Sequence, residues 1–148
     1  MTYQRIPFTV ATDASRSQER PTIAARDDGG FTVAWQNGGT FADNVTPAVE
    51  GANVSSTGDV EDTFAATGAG DRKQLDPSVT ALDNGGYTLA WQDGETRGGP
   101  DSPDETTTIQ ADVHGPDGSI TGILDIPGPG IDDQIEPAVA SLNDGGFA

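Results

Sequence analysis

Between Gln18 and Gln36 apolar and polar positions alternate twice. Pro21, Ile23 and Ala25 alternate with Thr22 and Ala24; after Asp27-Asp28-Gly29-Gly30, Phe31, Val33 and Trp35 alternate with Thr32, Ala34 and Gln36. A period of two on either side of a Gly-Gly turn predicts a β-hairpin. Glycine tolerates the positive φ of a hairpin loop, and an aspartate side chain can bond the turn amides. The stretch Gln74–Gln92 repeats the pattern, with Tyr87, Leu89 and Trp91 set against Thr88, Ala90 and Gln92. Both faces of each predicted strand carry residues that can be buried, large on one face and small on the other. A sheet stacked between two neighbouring sheets needs this pattern.

The two stretches are copies. QERPTIAARDDGGFTVAWQ and QLDPSVTALDNGGYTLAWQ are identical at 10 of 19 positions without a gap, and a third copy, QIEPAVASLNDGGFA, runs from Gln134 to Ala148. The copies are offset by 56 and 60 residues. Each period has room for two further strands: Val49–Val54 and Thr63–Ala66 in the first, Ile109–Val113 and Ile123–Ile126 in the second, joined by turns at Ser56–Asp59 and Pro116–Ser119. The expected fold is all-β, with β-propeller-like blades of four antiparallel strands, since a solenoid coil of about 20–30 residues is too short for this period. The chain divides into one repeat domain: residues 1–17 with a lone outer strand at Phe8–Ala11, 18–73 as a first blade, 74–133 as a second, and 134–148 as part of a third.

Composition narrows the function classes. Hydrophobic residues make up 33%, with 20 glycines and 10 prolines, which excludes a long-helix bundle or coiled coil. No apolar run approaches the ~18 residues of a membrane helix, and the N-terminus lacks the basic and apolar regions of an ordinary signal peptide. Twenty-four acids against 7 bases give a net charge of −17. Nucleic-acid phosphates and anionic membranes repel such a surface, whereas divalent cations, a salty medium and plain solubility suit it. With no cysteine, disulfides and thiolate chemistry are excluded. His114 is the only histidine, and there is no Gly-x-Ser-x-Gly elbow and no phosphate loop, so no catalytic constellation emerges.

The string Gln-x-x-Pro-x-Val-x-x-Leu-x-(Asp/Asn)-Gly-Gly-(Phe/Tyr)-x-(Val/Leu)-x-Trp at Gln74–Trp91 resembles a repeat of very large bacterial proteins, the RTX-type (repeats-in-toxin) haemolysin-like calcium-binding proteins and adhesins. The segment Thr108–Gly118 resembles that family's next strand and turn, with His114 where the family often has an aromatic. The resemblance covers nearly the whole chain. It implies an extracellular, bacterial setting without a cleaved signal peptide, and calcium as the ion. The tandem Gly-Gly-x-Gly-x-Asp nonapeptides that bind calcium in that family are missing; Gly128-Pro-Gly130-Ile-Asp132 is a single partial copy.

Calcium wants six to eight oxygens, and the irregular acidic stretch with Asp93, Glu95, Asp101, Asp104 and Glu105 is the candidate metal site. The pairs Asp27-Asp28, Asp83-Asn84 and Asn143-Asp144 read as turn caps, and Gln18, Gln74 and Gln134 as buried amides tying neighbouring blades. Trp35 and Trp91 read as core. Arg16-Ser17, Arg72-Lys73 and Asp132-Asp133 reverse sign between copies, as blade-to-blade charge pairing would. The function expected is a non-enzymatic structural or adhesion module, possible calcium binding included. Alternatives are a carbohydrate- or ligand-binding module using rim loops such as Gly94–Asp104, and a fragment of a secreted hydrolase. The incomplete terminal units imply self-association as a homodimer, two chains head to tail.

Overall fold

The structure, a computed structural model, describes residues 9–11, 16–38, 46–68, 72–94, 107–126 and 134–148. These residues form eight strands and no helix: β1 (Gln18–Ala25), β2 (Phe31–Asn37), β3 (Ala48–Val54), β4 (Val60–Ala65), β5 (Gln74–Ala81), β6 (Tyr87–Asp93), β7 (Thr108–His114) and β8 (Ile120–Ile126). They make two four-stranded antiparallel sheets, β1-β2-β3-β4 and β5-β6-β7-β8, each in chain order. The sequence expectation of four antiparallel strands per repeat holds. Among the described residues the two sheets do not close into a ring.

The Gly-Gly doublets have two separate causes. The first glycine adopts positive φ in every copy, +84° at Gly29, +84° at Gly85 and +83° at Gly145. The second lies against a neighbouring strand: a Cβ at Gly30 would collide with the Val54 carbonyl, and one at Gly86 with that of His114. The residue before the doublet caps the turn, as Gly30 N, Gly86 N and Gly146 N donate to Asp28, Asn84 and Asp144 Oδ1 at 2.9, 2.9 and 3.1 Å.

The Gln-x-x-Pro box is a bulge. Arg20, Asp76 and Glu136, each just before its proline, have φ of 52°, 51° and 54°, and the ladder shifts register between Glu19 and Thr22 and between Leu75 and Ser78. Proline lacks an amide to donate, so it sits on edge strands or at bulges. Here β1 and β5 are edge strands. A left-handed conformation off glycine costs about 1–3 kcal/mol and persists only where the surroundings impose it. Arg20 and Asp76, at equivalent positions of successive bulges, form an ion pair.

The sheets stack small face on large. Ala34, Val49 and Ala66 of the first sheet meet Val79, Tyr87, Leu89 and Trp91 of the second in one buried cluster, edged by Ala24 and Phe64. Full burial of a large apolar side chain contributes about 1.5–3 kcal/mol. The Phe64 ring reaches across to Tyr87 and His114, with centroids 5.0 and 5.6 Å away, because Gly51 opposite it has no side chain; a Cβ there would strike that ring. His114 stacks on Tyr87 at 4.3 Å and 10°. Two expected elements differ: Thr9–Ala11 is not a strand, with Phe8 outside the described residues, and the hairpin of the third copy at residues 134–148 is reduced to an isolated bridge between Ser141 and Phe147. A lone segment has no ladder partner unless a further sheet lies beside it.

Candidate functional site

The most elaborated polar chemistry lies in the seam between the sheets. Gln74 is fully buried; its Oε1 accepts from Val49 N at 3.0 Å, its Nε2 donates to the Thr67 carbonyl at 2.7 Å, and its own backbone N donates to Pro47 O at 2.9 Å. The third copy repeats this one period on, with Ile109 N donating to Gln134 Oε1 at 3.1 Å and Gln134 N to Thr107 O at 3.2 Å. Hydroxyls on the edge strands β1 and β5 accept amides of the next unit: Val79 N donates to Thr22 Oγ1 at 3.4 Å, Val139 N to Ser78 Oγ at 3.1 Å and Ser141 N to Thr80 Oγ1 at 3.1 Å. The glutamine box is thus the device that joins units at Gln74 and Gln134, but of the three glutamines expected to be buried only Gln74 is; Gln134 is half-buried and Gln18 exposed.

One seam residue escaped sequence reasoning. Asp112 is fully buried opposite Leu89 in the β6–β7 ladder and takes both the Thr67 amide, at 2.8 Å, and the Thr67 hydroxyl, at 2.6 Å. Its counterpart in the first repeat is Ala52, so repetition carries no signal for it. The one available hint was a charge inside an otherwise buriable strand.

A cavity of about 420 Å³ opens beside Trp35, bounded by Val10, Ala11, Gln18, Glu50, Thr63 and Phe64. Its meaning comes from the second sheet. There Ala66 packs into the cluster holding Trp91, Thr67 bonds Asp112, and Gly68 approaches Gln110, the counterpart of Glu50. Val10 and Ala11 are the counterparts of Ala66 and Thr67. The cavity is therefore a looser version of a seat that the preceding strand's end fills in the second sheet. The indole Nε1 of Trp35 is buried with no partner among the described residues, and so is that of Trp91 in the filled seat. A feature common to the open and filled seats belongs to the repeat and does not mark a ligand. Both tryptophans are core, as expected from the sequence.

Of the five proposed calcium ligands, Asp93 is described; Glu95, Asp101, Asp104 and Glu105 lie outside the described residues. Asp93 is buried at the end of β6, where its Oδ2 receives Arg72 Nε at 2.7 Å and its carbonyl receives Arg72 Nη2 at 3.1 Å. Its counterpart Asn37 instead donates to Glu50 Oε1 at 2.8 Å. Among the described residues no three His, Asp or Glu side chains gather as a metal site would require. Asp132-Asp133 lies outside the described residues. His114 donates from Nδ1 to the Gly118 carbonyl at 3.1 Å, while Nε2 is buried without a partner among the described residues. It fills an aromatic place in the packing.

Burial pushes the Asp93 carboxyl above its ordinary value, and Arg72 partly opposes this. A carboxyl with a raised folded pKa favours the fold in its protonated form. That contribution is complete below the unfolded pKa of about 3.9 and is lost as pH rises through the folded value. Asp93→Asn removes the titration, so the variant should gain on the wild type as pH rises from about 4 to about 6. Denaturant melts of both proteins across that range check this, and a pH-independent difference would mean that the carboxyl titrates normally.

Burial likewise raises the Tyr87 phenol far above its usual range, so it stays protonated, with Asn53 as its nearby polar neighbour. No protein-family model matches the chain, and neither a characterised protein nor a solved structure does.

Proposed function

We propose that the chain is a non-enzymatic structural module. Its four-stranded repeats are propeller-like blades that stack face to face and serve as a scaffold or adhesion surface. The supporting observation is that its outward faces carry the residue types buried in the seam. Ile23 on the open face of β1 is 64% exposed, whereas its counterpart Val79 is 7% exposed. Leu142, in the third copy, is 44% exposed and its counterpart Leu82 only 6%. Exposed apolar patches that match an internal interface are surfaces for another sheet of the same kind. In self-association through these faces, two chains lie head to tail, with a solution mass of about twice the 15.2 kDa chain. Light scattering on the wild type and on Ile23→Glu tests this. The variant should remain folded and lose the contact made through these faces; a wild-type monomer at high concentration would refute self-association through the faces.

The secreted, RTX-like setting and calcium binding belong to the same proposal and rest on the resemblance together with the charge of −17. Calcium affinity is expected at about 10⁻⁴–10⁻³ M, the range of extracellular modules. By mass action the melting temperature should rise in millimolar calcium. It should rise more than in sodium chloride of equal ionic strength. Equal rises would mean that the acids are only screened.

A further inference from the structure

The two sheets have four edges among the described residues, and three are protected against pairing. β1 and β5 each carry the positive-φ bulge and a proline, Pro21 and Pro77, and the Val79 amide is already taken by Thr22. Bulges and prolines are the usual devices that blunt a sheet edge. β4 carries Glu61 and Asp62, with Glu61 held by Arg26 at 2.9 Å, so a strand docking there would desolvate two acids.

β8 is different. It shares with β4 a register shift near its start, but its residues are Ile120-Thr-Gly-Ile-Leu-Asp-Ile126. Ile120, Ile123, Leu124 and Ile126 are all exposed, Ile123 at 64%. One acid, Asp125, stands near the far end. A long, apolar edge with a single charge at its far end is a ready template for another strand.

The order of residues in β8 says which strand fits. Laid antiparallel on itself about Ile123, Ile120 faces Ile126, Thr121 faces Asp125, Gly122 faces Leu124, and Ile123 faces its own copy. No charge meets a like charge, the carboxylate meets a threonine whose hydroxyl now donates to the Val113 carbonyl at 3.1 Å, and the small residue lies opposite the leucine. Cross-strand pairs of these kinds each contribute about 0.2–1 kcal/mol. We propose that two copies of the chain join through β8, antiparallel about Ile123, into one eight-stranded sheet. This contact is on the outer rim. It is separate from the stacking faces and does not depend on them. The −17 charge of each copy opposes it, so the association tightens with salt.

The chain has no cysteine, which makes the register directly testable. Paired strands hold opposite Cβ atoms about 4.5–5.5 Å apart, close enough for a disulfide after a small shift. Under mild oxidation Ile123→Cys should yield a covalent dimer, more completely in about 0.5 M than in about 0.05 M salt. Asp125→Cys, set opposite Thr121 of the second copy, should not, and neither should Thr63→Cys, the counterpart in β4. In the Ile23→Glu background, which removes the stacking contact, Ile123→Lys sets two like charges face to face and should leave the melting temperature unchanged and weaken the remaining association at least about tenfold by light scattering. An Ile123→Cys protein that stays uncrosslinked at high salt overturns the proposal, as does equal cross-linking by all three variants. Association abolished by Ile23→Glu but untouched by Ile123→Lys assigns self-association to the stacking faces and equally overturns the rim contact.

Discussion

Trp91→Ala will destabilise the protein by about 3–5 kcal/mol, the usual range for emptying a buried aromatic site. Trp91 is fully buried where the first sheet's Ala34, Val49 and Ala66 close over the second sheet's large face, so its removal opens the seam on both sides. Trp35→Ala, the same change one repeat earlier, will cost less, about 2–3 kcal/mol, because the site already borders a cavity of about 420 Å³. Urea melts of the two variants measure both values. Equal losses would mean that the seat over Trp35 is as tightly closed as the seat over Trp91. A Trp91 variant melting within a degree or two of wild type would remove it from the core.

Gln74→Met will cost about 2–5 kcal/mol. The change keeps the length of the side chain and deletes both polar atoms, which leaves the buried Val49 amide without its acceptor and the Thr67 carbonyl without its donor. A buried group left unpaired costs about 1–3 kcal/mol. Gln134→Met removes the same acceptor from Ile109, which is only half-buried, and will cost about 1 kcal/mol. The ranking of the two variants in chemical melts is the check. If Gln134→Met proves the costlier, the first seam is not the one that holds the sheets together.

Much of this arrangement could be read from the residues. Alternation around Asp27–Gly30 and its copies fixed the hairpins, and the large and small faces of β2 and β6 foretold a stacked core because side-chain orientation in a strand follows directly from parity. The recurrence of glutamine at a fixed distance from proline marked the joint. Three things were hidden. The bulge at Arg20, Asp76 and Glu136 has no signature in residue type, since arginine, aspartate and glutamate say nothing about a positive φ. The Asp112–Thr67 tie links residues 45 apart in sequence and occurs once, so neither pattern nor repetition could point to it. The acidic stretch after Asp93 had composition as its only cue. Asp93 itself turned out to be engaged by Arg72, a basic residue at a repeat joint that matches Arg16 in the first copy and Asp132 in the third.

The seams differ in strength, and this gives the molecule a direction. The first combines the glutamine tie, the Asp112 clamp and the Phe64–Tyr87–His114 ring stack. The second, at residues 134–148, has the glutamine tie and the hydroxyl contacts, with a single bridge between Ser141 and Phe147. In a linear array stability is a sum of unit terms and nearest-neighbour couplings. Unequal couplings make opening sequential: the last unit frays first while the first two sheets melt as one cooperative block. The weaker seam is therefore the one at which neighbouring units part at least cost, with the Trp91 seam as the fixed nucleus.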